Sequence, residues 1–448
     1  MPRLAAEPPL GLAALRIALG AVILISPELW QAPYWAGLPA HLRFPPEGLG
    51  WALQVLPIDQ DYARAAQALL IASCAAAILG LRARLAMLGV TLFGLYVFGL
   101  SQLSGAVIHN MHLFWFSALL AVSPCGDALT LQRWLRGQPY TALPAALAYT
   151  VPLQCARVLL AAVYFFPGFW KLKTSGLTWI FSDNLRNQIY WKWFEIGATA
   201  PTLRVDQQPW LLQLAAAAVV VFELGFITLI WSRRGRMLAA FCGVLFHLGT
   251  QWIMGITFIS LIACYVMLLD WEGIARALGQ AAPAMVARGP LRSVLPALLL
   301  SVPLICIVFV QGARGAVQAW PLGCYPTFDR TVGDYIADLR IEVVREDGTA
   351  IAIPDGPSTG GHLRAPQDWA RAWRLAGFYD DRVDPALLGH YFEHLLREPR
   401  AAAVAAGATR VRFYAATYSV FPGRAGQPPL SMQLLAELPL PITPHPRR

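Results

Sequence analysis

Charge is scarce in this sequence, and the scarcity excludes an ordinary soluble protein. Only 14% of the 448 residues are charged, whereas 57% are hydrophobic. A soluble domain carries about 25% charged residues, and a single buried core does not account for so large a deficit. The composition therefore predicts an integral membrane protein whose main partner is the lipid bilayer.

Motifs that mark several catalytic and metal-binding classes are also missing. The seven cysteines form no CxxC pair and lie mostly in apolar runs, so they indicate small core residues rather than a zinc site or a disulfide framework. The chain has neither a Gly-rich phosphate loop nor a GxSxG nucleophile motif. We also expect no bound metal, because metal ligands on helices usually include carboxylates and none lies near the histidines in the sequence.

Apolar runs near the length that spans a bilayer, about 20 residues, recur through the first part of the chain. Arg16 lies within the first run, which suits a retained helix better than a cleaved signal peptide. We predict an all-α polytopic membrane bundle of about nine transmembrane helices in residues 1–320. The candidate spans are residues 9–27, 65–81, 85–103, 111–123, 147–169, 210–231, 237–253, 255–269 and 293–313.

The basic residues are concentrated in this membrane part. Before residue 325 the chain has 21 Lys and Arg against 12 Asp and Glu, whereas the remainder has 14 of each. The excess indicates membrane topology and lipid contact, and we expect no nucleic-acid partner. With a cytoplasmic N-terminus, most arginine-bearing connections face the cytoplasm and the C-terminal domain lies outside. The connection 170–209 is an exception, because it falls outside and is basic.

Residues 321–448 have soluble character and predict a small extramembrane α+β domain. The segment DLRIEVVRED predicts a strand, followed by a turn at Gly348 and a hairpin partner in AIAIP. Residues 366–376 and 384–406 are predicted to be helical, and TRVRFYAATYSV is predicted to be a further strand.

The distribution of lysine is the sharpest local signal. Only three of the 35 basic residues are lysines, namely Lys171, Lys173 and Lys192, and they lie close together. Arginine does not give up its proton at physiological pH, whereas a partly buried lysine can act as a base. The cluster therefore predicts a base, and the alternative is that the lysines snorkel at a helix end.

The fifth predicted helix places charged and polar residues on one face. Arg157, Ala161, Tyr164, Gly168 and Lys171 follow alternating steps of four and three residues, so they share one helix face. Arg157 falls near the middle of the bilayer, where a charge is costly and marks a functional site by default. The alternative is a structural ion pair with Glu223 of the sixth helix. Arg16 has the same ambiguity and is expected to be structural.

Histidines in two further predicted helices add base-capable groups at a similar depth. His109 and His112 lie one turn apart at the start of the fourth predicted helix, and His247 lies in the seventh. In the nine-helix arrangement, His112, His247 and Lys171 all lie near one membrane face. This coincidence favours a shared site, and the alternative is that each histidine is a packing residue.

The segment RVLLAAVYFFPGFWKLKTSGLTW, residues 157–179, resembles the signature of the HTTM (horizontally transferred transmembrane) superfamily. This membrane domain is shared by the vitamin K-dependent gamma-glutamyl carboxylase and many bacterial proteins. The matching residues are Arg157, Tyr164, Gly168, Lys171, Leu172 and Trp179. Arg16, the Asn110 and His112 pair, and His247 also resemble family positions, as do the YPTFDR and EVVREDGT segments, so the resemblance covers most of residues 10–355.

The resemblance implies carboxylase-like chemistry in a bacterial inner membrane. In the carboxylase, a lysine at the position of Lys171 deprotonates reduced vitamin K, O2 then generates a strong base, and the glutamate carbanion captures CO2. It implies a lipid-soluble, menaquinol-type quinol and a protein or peptide substrate on the outer face. The implied catalytic residues are Lys171, His112 and His247, the implied quinol-binding residues are Tyr164, Asn110, Arg157 and Trp179, and Arg16 and Glu223 are structural.

Two departures from the family pattern keep other functions open. The carboxylase has a Lys-Lys pair where this chain has Trp170-Lys171, with Lys173 as a substitute, and its large lumenal region is absent. One alternative is a non-catalytic scaffold or assembly factor, in which Lys171 tolerates arginine. The other is a small-solute transporter in which Arg16, Arg157 and Glu223 line a polar pathway. Against transport, the sequence has no internal repeat and no pair of broken helices.

Overall fold

The computed structural model describes residues 6–104, 110–138, 145–196, 204–277, 291–316, 319–323, 327–353, 385–397, 399–424 and 426–441. Helices occupy most of the chain up to Arg314, and a four-stranded sheet follows. The first helices are α1 (Leu10–Ile25), α2 (Pro27–Ala36), α3 (Glu47–Ala52), α4 (Gln60–Leu79), α5 (Ala83–Leu100), α6 (His112–Ala121) and α7 (Leu131–Leu135). They are followed by α8 (Leu147–Ser175), α9 (Thr178–Phe181), α10 (Asn184–Ile196), α11 (Pro209–Leu229), α12 (Arg233–Met254), α13 (Ile259–Cys264), α14 (Trp271–Ala277) and α15 (Leu295–Arg314).

Six of these helices are long and apolar enough to cross a membrane. They are α4, α5 with its 3-10 extension to Leu103, α8, α11, α12 and α15. A seventh span results if α1 and α2, which meet at an angle of 49°, count as one. These helices are compatible with an integral membrane protein. In the described ranges, all nine predicted spans overlap apolar helices, but two of those helices are short, His112–Ala121 and Ile259–Leu268. The count of nine spans stays a prediction.

The longest helix that the structure describes, α8, is central to the bundle and carries three of the predicted site residues, Arg157, Tyr164 and Lys171. It packs against α11, α15, α6 and α1. Glycines allow the closest approaches. A Cβ atom at Gly168 would lie 2.8 Å from Cβ of Glu223 on α11, and one at Gly312 of α15 would lie 2.2 Å from the Phe166 ring. Because backbones pack closely where side chains are small, Gly168 brings α11 close to α8 beside Lys171.

The C-terminal residues form an antiparallel sheet with the order β2-β1-β3-β4. The strands are β1 (Tyr335–Arg345), β2 (Ala350–Ala352), β3 (Ala408–Ser419) and β4 (Ser431–Pro439), with helices α16 (Pro385–Leu395) and α17 (Pro399–Ala405) before β3. The predicted hairpin is confirmed, and its turn uses Gly348 at a positive φ of 79°. The sequence did not predict β4, and the predicted helix 366–376 lies outside the described residues.

Candidate functional site

A cavity of about 130 Å³ lies among α6, α8, α11 and α12. Most of its wall is apolar, with aromatic rings that include Trp115, Phe246 and Phe258. Six of the residues singled out from the sequence line it, namely His112, Tyr164, Lys171, Trp179, Glu223 and His247. Their side chains come from separate segments of the chain, so folding concentrates the polar groups of this region in one apolar cavity.

Lys171 and Glu223 form a buried ion pair in this cavity. The Lys171 Nζ atom lies 2.8 Å from both carboxylate oxygens of Glu223. Only 3% of the lysine side chain and 7% of the glutamate side chain are exposed. The indole ring of Trp179 lies 5.3 Å from Nζ, which is within cation–π range. The ammonium group is therefore held by one carboxylate and one aromatic face, and both partners line the cavity.

The two other lysines have different surroundings. Lys173 is exposed, with its Nζ 3.8 Å from the centre of the Trp170 ring. Lys192 pairs with Glu195 on the same helix. Neither is among the described residues that line the cavity. Of the lysine cluster, Lys171 is thus the one in a position to act on a ligand there.

A hydrogen-bonded chain of Tyr265, Tyr164 and His247 lies beside the ion pair. The Tyr164 hydroxyl is 2.7 Å from His247 Nε2 and is also bonded to the Tyr265 hydroxyl. All three side chains are buried, and the Tyr164 ring stacks on Phe226 with centroids 4.4 Å apart. Nδ1 of His247 has no hydrogen-bond partner among the residues that the structure describes. Packing fixes the rings, and one imidazole nitrogen is left for a ligand.

The fourth predicted helix contributes one of its polar residues to the cavity. His112 lines the cavity and packs edge-on against Phe116, with centroids 5.8 Å apart. Asn110 is buried but is not among the described lining residues. His109 lies outside the described residues. The predicted contact of Asn110 with a quinol therefore has no geometric support, whereas His112 is in place for one.

The ion pair between Arg157 and Glu223, which was the structural alternative for Arg157, is not what the structure shows. The Arg157 guanidinium instead pairs with Glu7 through two contacts, 2.6 and 2.8 Å long, and donates to the Met267 carbonyl at 2.9 Å. Arg157 is fully buried and is not among the lining residues. The structure thus places Arg157 in a network of its own, away from the cavity where a quinol contact was predicted.

Arg16 is also fully buried and also separate from the cavity. Its Nη2 atom donates to the carbonyl oxygens of Leu129 at 2.6 Å and Ala128 at 3.3 Å. These carbonyls belong to the turn between α6 and α7, where Leu129 has a positive φ of 50°. Arg16 therefore links α1 to this turn, which fits the structural role expected from the sequence.

A short connecting segment, residues 327–333, begins at the wall of the cavity. Thr327 and Phe328 line it, and Phe328 has a positive φ of 54°, which is uncommon for a bulky residue. Side chains from the end of α8 through α10 donate to five carbonyl oxygens between residues 328 and 333. The donors are Ser175, Trp179, Asn187, Gln188 and Trp191. These bonds hold the irregular backbone that connects the cavity wall to β1.

Three of the five basic residues in the connection 170–209 pair with carboxylates within it. Arg186 pairs with Asp183, and Arg204 pairs with Asp206 at 2.7 Å. Burial raises the pKa of Asp206, but hydrogen bonds from Arg204 and Tyr190 outweigh it and hold that pKa below the usual 3.8. Burial and the bond to Asp206 raise the pKa of Tyr190 to about 12. Part of the positive charge of this segment is therefore balanced by ion pairs within it.

Two side chains that contact the predicted site residues were missed in the sequence, namely Glu7, which pairs with Arg157, and Tyr265, which is bonded to Tyr164. Tyr265 lies in a short apolar helix and Glu7 precedes the first span, so neither has a motif or a periodicity that indicates its contacts. Comparison with family models, curated proteins and solved structures finds no match for this chain. The functional interpretation therefore comes from the cavity and from the sequence resemblance.

Proposed function

We propose that this protein is an integral membrane enzyme with vitamin K-dependent gamma-carboxylase-like chemistry, in which Lys171 is the base that deprotonates a lipid-soluble quinol. The observation that carries the proposal is the buried Lys171–Glu223 pair in the wall of an apolar cavity. A reacting carbanion or oxyanion must be shielded from water, and an aromatic wall within a helical bundle supplies that shielding.

The residues that line the cavity fit a reduced quinol. Aromatic and aliphatic side chains suit a flat apolar ring, and binding sites of this kind add a few placed polar groups. Lys171, His112 and His247 are those groups, and the imidazole nitrogen of His247 without a described partner suits a ligand oxygen. A bound quinol, with O2 and CO2, supplies the reducing equivalents and the carbon for carboxylation.

Lys171 and Glu223 together perform the first proton transfer. A lysine acts as a base only when its amine is neutral, and here the ammonium lies 2.8 Å from both carboxylate oxygens. Glu223 takes a proton from Nζ, which leaves a neutral amine. Nζ of Lys171 then accepts the proton of a ligand hydroxyl. Glu223 therefore acts as the proton store for the base, a role beyond the structural one expected from the sequence.

The same proposal includes the finer topology. Nine spans with a cytoplasmic N-terminus would put residues 327–333 and the sheet on the outer side of a bacterial inner membrane. A protein or peptide substrate would then approach the cavity from the aqueous side, past residues 327–333. The sheet that follows this segment is the part of the chain in a position to bind such a substrate.

The transporter alternative receives less support from the geometry. It requires Arg16, Arg157 and Glu223 to line one pathway. Their described contacts are instead three separate networks: Arg16 with the carbonyls of the α6–α7 turn, Arg157 with Glu7, and Glu223 with Lys171. Neither arginine is among the described residues that line the cavity.

The test is oxygen-dependent oxidation of a reduced naphthoquinol to its epoxide by the purified protein in detergent, measured by chromatography. We expect wild type and Lys173→Ala to form epoxide and Lys171→Ala to lose it. Lys173 is the matched control, because it lies two residues away on the same helix but does not line the cavity. Lys171→Arg should also form no epoxide. The scaffold alternative predicts instead that wild type forms none either and that the Lys171→Arg protein keeps its non-catalytic role. No epoxide from the folded wild type would refute the proposal.

A further inference from the structure

The C-terminal sheet meets the helical bundle at one end of its strands. Val420, which directly follows β3, belongs to one apolar cluster with Leu212 in the first turn of α11 and Met254 at the end of α12. The rings of Tyr418 on β3 and Phe194 on α10 have centres 5.5 Å apart. Both α11 and α12 are long and apolar enough to cross a membrane. This end of the sheet therefore lies at the level where two spans leave the bilayer.

One face of the sheet changes from charged to apolar towards that end. Residues that lie directly opposite each other in an antiparallel pair share a face of the sheet. Three such pairs follow one another along β3 and β4, namely Arg412 with Glu437, Tyr414 with Leu434, and Ala416 with Met432. Arg412 and Glu437, which lie farthest from α10, form an ion pair. As the strands approach α10, this face therefore exchanges charged side chains for apolar ones.

The apolar side chains at this end are exposed. Leu430, Met432 and Leu434, which we call the β4 patch, are 58%, 40% and 52% exposed. The backbone N–H of Leu430 donates to the Thr417 carbonyl at 2.7 Å, and Thr417 is the neighbour of Tyr418, which contacts α10. Grouped apolar side chains on a surface mark a site of interaction with a partner or a membrane.

The distribution of exposed side chains in the C-terminal domain follows the same direction. In the part of this domain that the structure describes, one further large apolar side chain is exposed, that of Tyr335. Tyr335 pairs with Ser419, so it also lies at the end of the sheet that meets the bundle. The opposite end carries the charged turn 345–347, whose three residues are all exposed. The domain is thus apolar towards the spans and charged away from them.

We propose that the β4 patch binds the surface of the lipid bilayer and holds the C-terminal sheet against the membrane. A lipid surface at the level of the ends of α11 and α12 accounts for apolar side chains at this end of the sheet and charged ones at the other. Two residues advance a strand by about 7 Å, and the headgroup region is about 6 Å thick on each side. Leu430 and Met432 therefore contact lipid most closely, and Leu434 less. This inference does not depend on the proposed reaction.

The first test is photo-crosslinking of the full chain in nanodiscs of phosphatidylethanolamine and phosphatidylglycerol, with adducts identified by mass spectrometry. The photoreactive residue p-benzoylphenylalanine replaces Leu430, Met432 or Leu434 in turn. Leu248, exposed on α12, is the positive control, and Glu346 in the charged turn is the negative control. We expect lipid adducts at Leu430 and Met432, fewer at Leu434 and none at Glu346. Adducts only with a second copy of the chain, or no lipid adducts from the patch, would overturn the proposal.

The second test adds one charge to either face of β4 while the photoreactive residue stays at position 430. Met432→Asp should lower the yield of lipid adducts about tenfold, because it removes one apolar side chain from the lipid contact. Gln433→Asp is the matched control, because Gln433 is also exposed but pairs with Ala415 and so lies on the other face of the strand. It should leave the yield unchanged. Equal yields from the two variants would contradict the proposal, and hydrogen exchange of the β3 amides checks that the sheet is intact in both.

Discussion

The effects of Lys171 and Glu223 substitutions on the free energy of unfolding should be strongly coupled. The two side chains are 3% and 7% exposed, so neither charge is hydrated once the other is removed. Replacement of one partner in a buried pair leaves an uncompensated charge and costs about 3–5 kcal/mol. Lys171→Met and Glu223→Met, which keep an unbranched chain of similar length, should each destabilise the protein by about this amount.

The double variant should be much more stable than the two single effects suggest. Replacement of a whole buried pair by apolar residues is often neutral or stabilising, because the desolvation cost of both ions disappears. The cavity wall around the pair is mostly apolar, which favours this outcome. Independent effects would instead add to a loss of about 6–10 kcal/mol.

The assay is unfolding in mixed micelles by titration with an anionic detergent, followed by tryptophan fluorescence, for wild type, both single variants and the double variant. A double variant near wild-type stability would confirm the coupling and would also serve as a folded, inactive control for epoxide formation. Additive losses would refute the reasoning, because they would mean that water or other groups satisfy each charge alone.

Other regions of the structure give three further predictions. Gly168→Ala should cost about 1–3 kcal/mol through overpacking against α11, whereas Gly225→Ala, whose Cβ would meet nothing within 4 Å, should have little effect in the same titration. Glu7→Gln should cost about 3–5 kcal/mol because it leaves the buried Arg157 guanidinium without its carboxylate; a loss below about 1 kcal/mol would contradict this. Because the pKa of Asp206 is lowered in the folded state, its stabilisation is present above pH 3.8 and is lost as the pH falls through the folded pKa. Asp206→Asn should remove that acid dependence, as measured by limited proteolysis of the connection against pH.

Periodicity within a helix was the most reliable guide to the site. Seven-residue spacing placed Tyr164 and Lys171 on one face of α8, and both line the cavity. The positions of His112 and His247 near one membrane face came from the order of the spans, and the structure brings them to the same cavity. Both inferences needed only geometry along single helices or the order in which helices cross the bilayer. The roles of these residues stay predictions.

Contacts between segments that are distant in the sequence could not be predicted in this way. Glu7 lies 150 residues from its partner Arg157 and precedes the first span, where no pattern constrains it. The carbonyl of Met267 that Arg157 also contacts lies 110 residues away and has no sequence signature at all. The position of Tyr265 opposite Gly243 likewise depends on how two helices pack, and a helical glycine does not indicate by itself which side chain will pack against it.

Charge balance does not determine which buried cation pairs with Glu223, whereas local helix packing does. Two buried cations, Arg157 and Lys171, lie on one face of α8, and Glu223 was the single carboxylate deep in a predicted span. Charge alone favoured neither cation. Gly168 decides between them in the structure, because it lies one turn before Lys171 and lets the Glu223 backbone approach there. Arg157 then needs a second carboxylate, and the segment before α1 supplies it. The sequence did not show this choice, because a helical glycine does not indicate by itself which side chain packs against it, so the carboxylate beside the base of the proposed reaction is an observation of the structure.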